Sequence, residues 1–140
     1  MALIVQKFGG TSVANAERLR NVARIITDTY QRGNRVVAVL SAQGDTTDDL
    51  IEKAREINPS ASKREMDMLL STGEQISCSL CAMAIEAMGY PVVSLTGWQA
   101  GFRTNSGYGN ARIKRVMTER VRDGLENKRR IVIVTGFQGI

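Results

Sequence analysis

Four short runs of apolar, mostly β-branched residues recur along the chain, and each is continuous rather than alternating with polar positions. The runs occupy residues 2–7, 35–41, 91–97 and 130–136. Continuous apolar runs of this length are typical of strands that a parallel sheet buries on both faces. The pattern therefore predicts four strands of a mainly parallel sheet.

Segments with the periodicity of amphipathic helices separate the four runs. Residues 15–33 place apolar side chains on one face, with Asn15 as the predicted N-cap and Gly33 as the predicted stop. Further helices are predicted in residues 46–59 and 60–89. This order of elements predicts an α/β fold, in which helices sandwich a mainly parallel sheet within a single domain.

Two helix predictions depend on finer signals. Residues 60–89 contain two pairs with the spacing of a capping box, Ser62 with Glu65 and Ser71 with Glu74. The second pair predicts a helix break near Ser71–Gly73. A last helix is predicted in residues 111–130, and its apolar side would hold Ile113, Val116, Met117, Val121 and Leu125.

The composition limits the possible chemistry. The chain has 140 residues, no histidine and two cysteines, Cys78 and Cys81. The missing histidine excludes Ser-His and Cys-His nucleophile pairs and histidine metal ligands. The spacing of the cysteines fits a redox or metal pair, but a structural zinc site needs about four ligands, and the small neighbouring residues favour buried core cysteines.

The formal net charge is +5, and the densest basic stretch is residues 111–130. Acidic residues interrupt this stretch and no aromatic residue is interleaved for base stacking, so a solvated face is favoured over nucleic-acid binding. The apolar runs are shorter than a membrane span, and the N-terminus lacks the pattern of a signal peptide. A cytoplasmic protein without membrane contacts is therefore expected.

Glycine-containing loops follow all four predicted strands, and a parallel sheet binds ligands outside the carboxyl ends of its strands. In the first loop, "KFGGTS", Gly9 and Gly10 allow backbone N–H groups to approach a ligand closely. A following helix N-terminus would favour an anion, and Lys7 adds a positive charge. These features suit a polyphosphate, and a plain strand–helix turn with a surface lysine is the alternative.

"KFGGTS" after an N-terminal strand resembles the signature of the aspartate kinases, in the amino acid kinase superfamily. Four more segments are similar to family segments and occur in the family's order: "VLSAQGDTTDDL", "LLSTGEQIS", "SLTGWQAGFRTN" and "VTGFQG". The ordered set covers essentially the whole chain. The resemblance implies an amino acid kinase-like fold and ATP-dependent phosphorylation of the β-carboxylate of L-aspartate to 4-phospho-L-aspartate. That reaction is the first step toward lysine, threonine, methionine and diaminopimelate.

The resemblance also implies roles for individual residues. Nucleotide contacts are implied for Lys7, Phe8, Gly9, Gly10, Ser12 and Ser41, and Lys7 would also stabilise the transferring phosphoryl group. Substrate contacts are implied for Ser41, Asp45, Thr46, Thr47, Glu74 and Phe137, and Glu74 would bind the ammonium group of aspartate. Arg103 and Thr104 are expected at the same edge. ATP and Mg²⁺ are implied, without an identifiable magnesium ligand, and the full-length protein is expected to form a homo-oligomer.

Several of these residues have structural alternatives. Glu74 can be the capping-box acid of its helix, Thr47 an N-cap, and Ser41 a hydroxyl at a strand end. Asp48 and Asp49 resemble metal ligands, but acids in a first helical turn usually interact with the helix dipole.

Residues 1–140 are expected to be the N-terminal part of a kinase domain, because the family's Arg-Gly-Gly-Ser-Asp segment, adenine pocket and regulatory ACT domains are missing. Three hypotheses follow: an inactive part of an aspartate kinase, a non-catalytic module that keeps phosphate or aspartate affinity, and a basic nucleic-acid-binding domain. The first is favoured for family identity, and the residues do not decide between an inactive part and a residual binder. The run 130–136 is expected to form an exposed edge strand that promotes association.

Overall fold

A computed structural model describes residues 1–105, 107 and 112–136. Its strands are β1 (Leu3–Phe8), β2 (Arg35–Leu40), β3 (Val92–Leu95), β4 (Phe102–Thr104), β5 (Ile113–Val116) and β6 (Ile131–Thr135). Its α-helices are α1 (Ala16–Gln31), α2 (Thr46–Ile57), α3 (Lys63–Ala87), α4 (Gly97–Ala100) and α5 (Glu119–Arg122). A 3₁₀ helix (Gly10–Val13) follows β1, and a π-helical turn (Asp123–Asn127) follows α5.

Four strands form a parallel sheet in the order β1-β2-β6-β3. β1 pairs with β2 from Leu3 opposite Arg35 to Phe8 opposite Leu40. The predicted strands are confirmed to within two residues at each end, and so is the α/β fold with a mainly parallel sheet. The carboxyl ends of these strands consequently lie along one edge of the sheet.

β6 lies in the middle of the sheet, between β2 and β3, and its five residues are all buried. The expectation that residues 130–136 form an exposed edge is therefore wrong, because the last strand in sequence is inserted between earlier ones. The two outer strands of this sheet are β1 and β3. On β1, Leu3 and Val5 are 51% and 64% exposed, so one face of this outer strand is left uncovered.

The main core lies between the sheet and the helices α1 and α3. It includes Ile26 of α1, Ile85 of α3 and Ile133 of β6, all fully buried. A smaller cluster on the opposite face packs Leu125 of the π-helical turn with Val134 of β6. One face of the sheet is thus covered by two long helices, and the other is covered near β6 and β3 only by short elements.

The ends of α1 follow the sequence prediction. The Asn15 side chain accepts a hydrogen bond from the Arg18 amide at 2.9 Å, which satisfies a donor that the first helical turn leaves free. Gly33 follows the C-cap with φ at 94°, a left-handed conformation that favours glycine. The predicted N-cap and stop are both confirmed.

α3 runs unbroken for 25 residues, so the expected break near Ser71–Gly73 is wrong. The Ser71 hydroxyl donates to the carbonyl oxygen of Met68, in the preceding turn of α3, at 2.8 Å. The hydroxyl therefore bonds within α3 and does not cap the start of a second helix. At the start of α3, Ser62 accepts from the Glu65 amide at 3.3 Å, as predicted for an N-cap. Only the first of the two capping signals therefore marks a helix start.

Residues 111–130 do not form the predicted amphipathic helix. Residues Ile113–Val116 are β5, which pairs antiparallel with β4, and helical structure begins only at Glu119. Ile113 and Val116 are 62% and 48% exposed, so they do not form a buried apolar side. Their β-branched side chains suit an extended backbone, and pairing with β4 outweighs the local helical periodicity.

The two cysteines are core residues, as predicted. Cys78 and Cys81 are at most 1% exposed on the face of α3 that packs into the main core. By length and composition alone α3 could also cross a membrane, but a helix with one face in a protein core passes the same test. Cys78, Cys81 and Ile85 pack one face of α3 into the main core.

We predict that neither cysteine reacts with iodoacetamide in the folded protein near neutral pH. Burial raises the pKa of both thiols to about 12, so the reactive thiolate is nearly absent. Mass spectrometry after alkylation, with and without urea, measures this protection. An Ala87→Cys variant places an exposed thiol on the same helix as the reactive control. Native labelling of Cys78 or Cys81 as fast as that of the control would contradict the prediction.

Candidate functional site

Hydrogen bonds across the strands join the loops that follow them. The Ser41 amide donates to the Phe8 carbonyl oxygen at 3.2 Å, which joins the ends of β1 and β2. The Gly136 amide donates to the Leu40 carbonyl oxygen at 3.0 Å, and the Gly97 amide donates to the Thr135 hydroxyl at 2.9 Å. The glycine-containing loops after β1, β2 and β3, together with Gly136 after β6, therefore lie side by side at the carboxyl ends of the strands.

The loop after β1 combines a cation with an open backbone. Lys7 is exposed near the end of β1, and Phe8 packs against the main core. A Cβ built on Gly9 would have no other atom within 4 Å, so its backbone faces open space. This part of the edge can admit a bulky anion beside a lysine.

A 3₁₀ helix that begins at Gly10, rather than α1, follows Gly9 directly. The Ser12 amide donates to the Gly9 carbonyl oxygen at 3.1 Å within this turn, so that N–H is already used, whereas the Ser12 side chain is exposed. The expected helix N-terminus of α1 begins at Ala16 and is capped by Asn15. The backbone N–H groups that could bind an anion are therefore those near Gly9 and Gly10, not those at the start of α1.

The loops after β1 and β2 are in direct contact. The Gly44 amide donates to the Gly10 carbonyl oxygen at 3.0 Å. A Cβ on Gly10 would lie 2.9 Å from the Ala42 carbonyl oxygen, closer than Cβ atoms approach other atoms in proteins. Glycine at this position thus allows the two loops to touch.

α3 reaches the same junction through a second glycine. A Cβ on Gly73 would lie 2.9 Å from the Ala42 Cβ and 3.6 Å from the Thr46 Cγ2. The next residue on α3 is Glu74, which is 9% exposed. The close contact with the loop after β2 therefore lies one residue away from a buried acid in α3.

Glu74 is an unusual buried acid. Its side chain has neither a salt bridge nor a hydrogen bond to another side chain within the described part of the chain. Burial raises the pKa of the Glu74 carboxyl above its ordinary value, and a hydrogen bond to its own backbone offsets part of that effect. Its alternative role as a helix-capping acid is wrong, because Glu74 lies inside α3.

The start of α2 forms the other side of this junction. Asp45 is the N-cap residue, without a side-chain capping hydrogen bond, so the alternative of Thr47 as the N-cap is wrong. Thr46 is half-buried against α3, and Thr47 is exposed. The first-turn acids Asp48 and Asp49 are also exposed, as expected for partners of the helix dipole.

The remaining predicted site residues have different outcomes. Ser41 is half-buried where β2 ends, and its amide bond to Phe8 fixes the backbone there. Arg103 and Thr104 lie on β4, which forms a separate hairpin with β5. Phe137 lies outside the described residues. The sequence predictions missed Ala42 and Gly73, because a contact between distant backbones leaves no local pattern.

The match to the amino acid kinase family extends over residues 2–140. The chain is 55% identical over 140 residues to the aspartokinase of Geobacillus stearothermophilus, a match that covers all of this chain but 34% of that protein. A solved aspartate kinase from Synechocystis superposes with a TM-score of 0.82 at 44% identity, over 99% of this chain and 22% of the other. E. coli aspartokinase III, solved with aspartate and ADP, has the same fold, with a TM-score of 0.79 at 22% identity, over 99% of this chain and 41% of the other.

We predict that Gly73→Ala destabilises the protein by roughly 1–2 kcal/mol, because overpacking costs about 1–3 kcal/mol and helix propensity returns up to about 1 kcal/mol. Urea unfolding measures the loss. Gly9→Ala is the matched control, since Gly9 has open space and a φ of −81° that alanine adopts. Adding Ala42→Gly to Gly73→Ala should restore stability by removing the other side of the contact. Equal effects of Gly73→Ala and Gly9→Ala would contradict the packing argument.

We also predict that Glu74→Gln stabilises the unliganded protein at neutral pH. The pKa of Glu74 is higher in the folded than in the unfolded state, so stability is lost as the pH rises from the unfolded through the folded pKa. The gain from Glu74→Gln should vanish in acid below both values. Urea unfolding over a pH series tests this, with Glu86→Gln, exposed on the same helix, as control. A loss of stability at neutral pH would show that Glu74 has a favourable partner.

Proposed function

This chain belongs to the amino acid kinase family, and on that basis we propose that it supplies part of the active site of an ATP-dependent aspartate kinase. One observation supports the proposal above the others: the contacts at Ala42 join the glycine loop after β1 to α3 at Gly73, the residue before the buried Glu74. A phosphate-binding loop and a carboxylate for an ammonium group are the two features that ATP and an amino acid require. The 55% identity to an aspartokinase supports aspartate as that amino acid.

The proposed reaction needs no histidine base. The β-carboxylate of aspartate has a pKa near ~4, so it is ionised and nucleophilic at neutral pH. One of its oxygens forms a bond to the γ-phosphorus of ATP, while the bond from that phosphorus to the ADP oxygen breaks. The barrier comes from bringing two anions together, so positioning and positive charge supply most of the catalysis.

At the loop after β1, Lys7 would neutralise charge on the transferring phosphoryl group. The backbone at Phe8, Gly9 and Gly10 would lie along the phosphates, since Gly9 has no neighbouring atom that blocks a ligand. Ser12 would contribute its exposed hydroxyl, because its amide is used within the 3₁₀ turn. Ser41, where β2 ends, would lie between nucleotide and substrate.

Around Glu74, the substrate contacts are proposed as follows. The Glu74 carboxylate would accept hydrogen bonds from the ammonium group of aspartate, which supplies the missing positive partner. Asp45, Thr46 and Thr47 at the start of α2 would shape the same pocket, and Thr47 is exposed. Phe137 retains its proposed place beside the substrate.

Magnesium is implied by phosphoryl transfer from ATP. Within the described residues, no group of three or more acidic or cysteine side chains is placed to hold a metal ion. Mg²⁺ commonly binds through substrate phosphates with only one or two carboxylates, so the ATP phosphates would be its main ligands here. The proposed roles of Lys7 and Glu74 do not depend on a protein ligand to the metal.

The chain spans about a third of the length of the curated relatives it matches, 34% for the Geobacillus protein. We therefore propose that residues 1–140 are the N-terminal part of the catalytic domain and that the chain alone does not complete the active site. A non-catalytic module that keeps ligand affinity is the second candidate, favoured by the intact Ala42 junction. A cytoplasmic location and a homo-oligomeric full-length protein remain part of the proposal, the latter supported by exposed Met68, Ile76 and Met83 on α3.

We predict that the 140-residue chain binds ATP without turning it over and that Lys7→Ala weakens this binding at least about tenfold, as expected for a lost charge-assisted hydrogen bond. Calorimetry measures the affinity, and a coupled ADP-release assay with aspartate and Mg²⁺ measures turnover. Lys53→Ala, an exposed lysine on α2, is the control. Unchanged ATP affinity in Lys7→Ala would remove the phosphate role. Turnover that depends on Lys7 would overturn the incomplete site.

A further inference from the structure

A half-open surface cleft of about 420 Å³, called the cavity below, lies beside the β4–β5 hairpin, and none of the proposed nucleotide or aspartate contacts lines it. Small-molecule pockets occupy about 300–1,000 Å³, so its volume suits a compact ligand. The lining residues that matter here are Trp98, Gly101, Arg103, Met117, Glu119 and Arg120. They come from α4, β4, α5 and the connections between them.

A fixed backbone crossing holds the walls of this cavity in place. The Met117 amide donates to the Gly101 carbonyl oxygen at 2.9 Å. Gly101 has φ at 102°, and a Cβ there would collide with the Met117 carbonyl, so only glycine fits. This crossing places Trp98 of α4 and Arg120 of α5 around the same space.

The chemistry of the lining is specific. Trp98 is 52% exposed and offers a flat apolar surface for a planar ring. The guanidinium groups of Arg103 and Arg120 form no salt bridge with any described residue, and such groups bind phosphate through paired N–H donors. Glu119 adds an acceptor for an amino group on the ring. These features together favour an amino-substituted heterocycle that carries a phosphate.

The distribution of charge agrees with an anionic ligand. Residues 112–130 hold eight lysines and arginines against three acids, so this segment alone accounts for the net charge of +5. In the linear sequence no aromatic residue lies within this basic stretch, but the fold places Trp98 beside it. A single exposed aromatic in a cavity suits one base, whereas single-stranded nucleic acid is bound by successive stacking residues.

We propose that this cavity binds a nucleoside monophosphate, with its base stacked on Trp98 and its phosphate held by Arg103 and Arg120. The proposal does not rest on the kinase function, because it involves neither Lys7 nor Glu74. It describes a second ligand site. This site lies beyond the loop that follows β3, and β3 and β1 are the two outer strands on opposite sides of the sheet.

Trp98 is the single tryptophan of the chain and lines this cavity, so its fluorescence is a direct probe of binding there. Titration with AMP is expected to change its emission saturably, with a dissociation constant below ~1 mM. Arg120→Gln should weaken this response at least about tenfold. Arg122→Gln is the matched control, since Arg122 is exposed on the same helix but does not line the cavity.

Two further titrations distinguish AMP binding in this cavity from non-specific stacking and from binding at the loop after β1. Adenosine and inorganic phosphate should each bind more weakly than AMP, because adenosine lacks the phosphate group and inorganic phosphate lacks the base. Lys7→Ala should leave the AMP response unchanged. The AMP titration therefore tests this cavity even if the proposed phosphate role of the loop after β1 is wrong. The proposal is overturned if AMP gives no saturable change, if Arg120→Gln leaves the response intact, or if Lys7→Ala abolishes it.

Discussion

The candidate site depends on one close contact, in which three backbone segments meet at Ala42. Gly10 approaches its carbonyl oxygen and Gly73 approaches its Cβ, in both cases so closely that an added methyl would lie 2.9 Å away. Because both residues lack a side chain, the loop after β1, the loop after β2 and α3 reach one another without strain. A larger residue at either position would force these segments apart or require the loops to shift.

The contact at Ala42 in turn depends on a sheet whose order differs from the sequence order. β1 and β2 are neighbours in the chain, but β6 enters between β2 and β3 and is buried on both faces. The bonds from Gly136 to Leu40 and from Gly97 to Thr135 exist only when β6 is in place. The geometry of the ligand edge is thus a property of the complete sheet rather than of the "KFGGTS" motif alone.

The parts of this fold that the sequence predicted are those that local physics determines. Continuous β-branched runs identify buried strands, and Asn15 with Gly33 bounds a helix, because these signals act within a few residues. Long-range pairing determined the rest: it made Ile113–Val116 a strand and placed β6 centrally. Within the site, Glu74 and the glycine loop were predicted from their resemblance to family segments. The Ala42 contact joins residues that are distant in sequence, so no local pattern predicts it. Phe137 lies outside the described residues, and its role stays a prediction.

The energetics of Glu74 explain why an apparently unfavourable residue belongs at this junction. A carboxylate that is 9% exposed without a cationic partner among the described residues costs folding free energy. The same desolvation strengthens its attraction to any ammonium group that enters, because the local dielectric is lower than in water. A site that must hold an amino acid beside a polyphosphate needs this separation of charge: a buried acid for the ammonium group, and Lys7 for the phosphates. The instability of the unliganded site and its affinity for a cationic substrate therefore have the same physical cause.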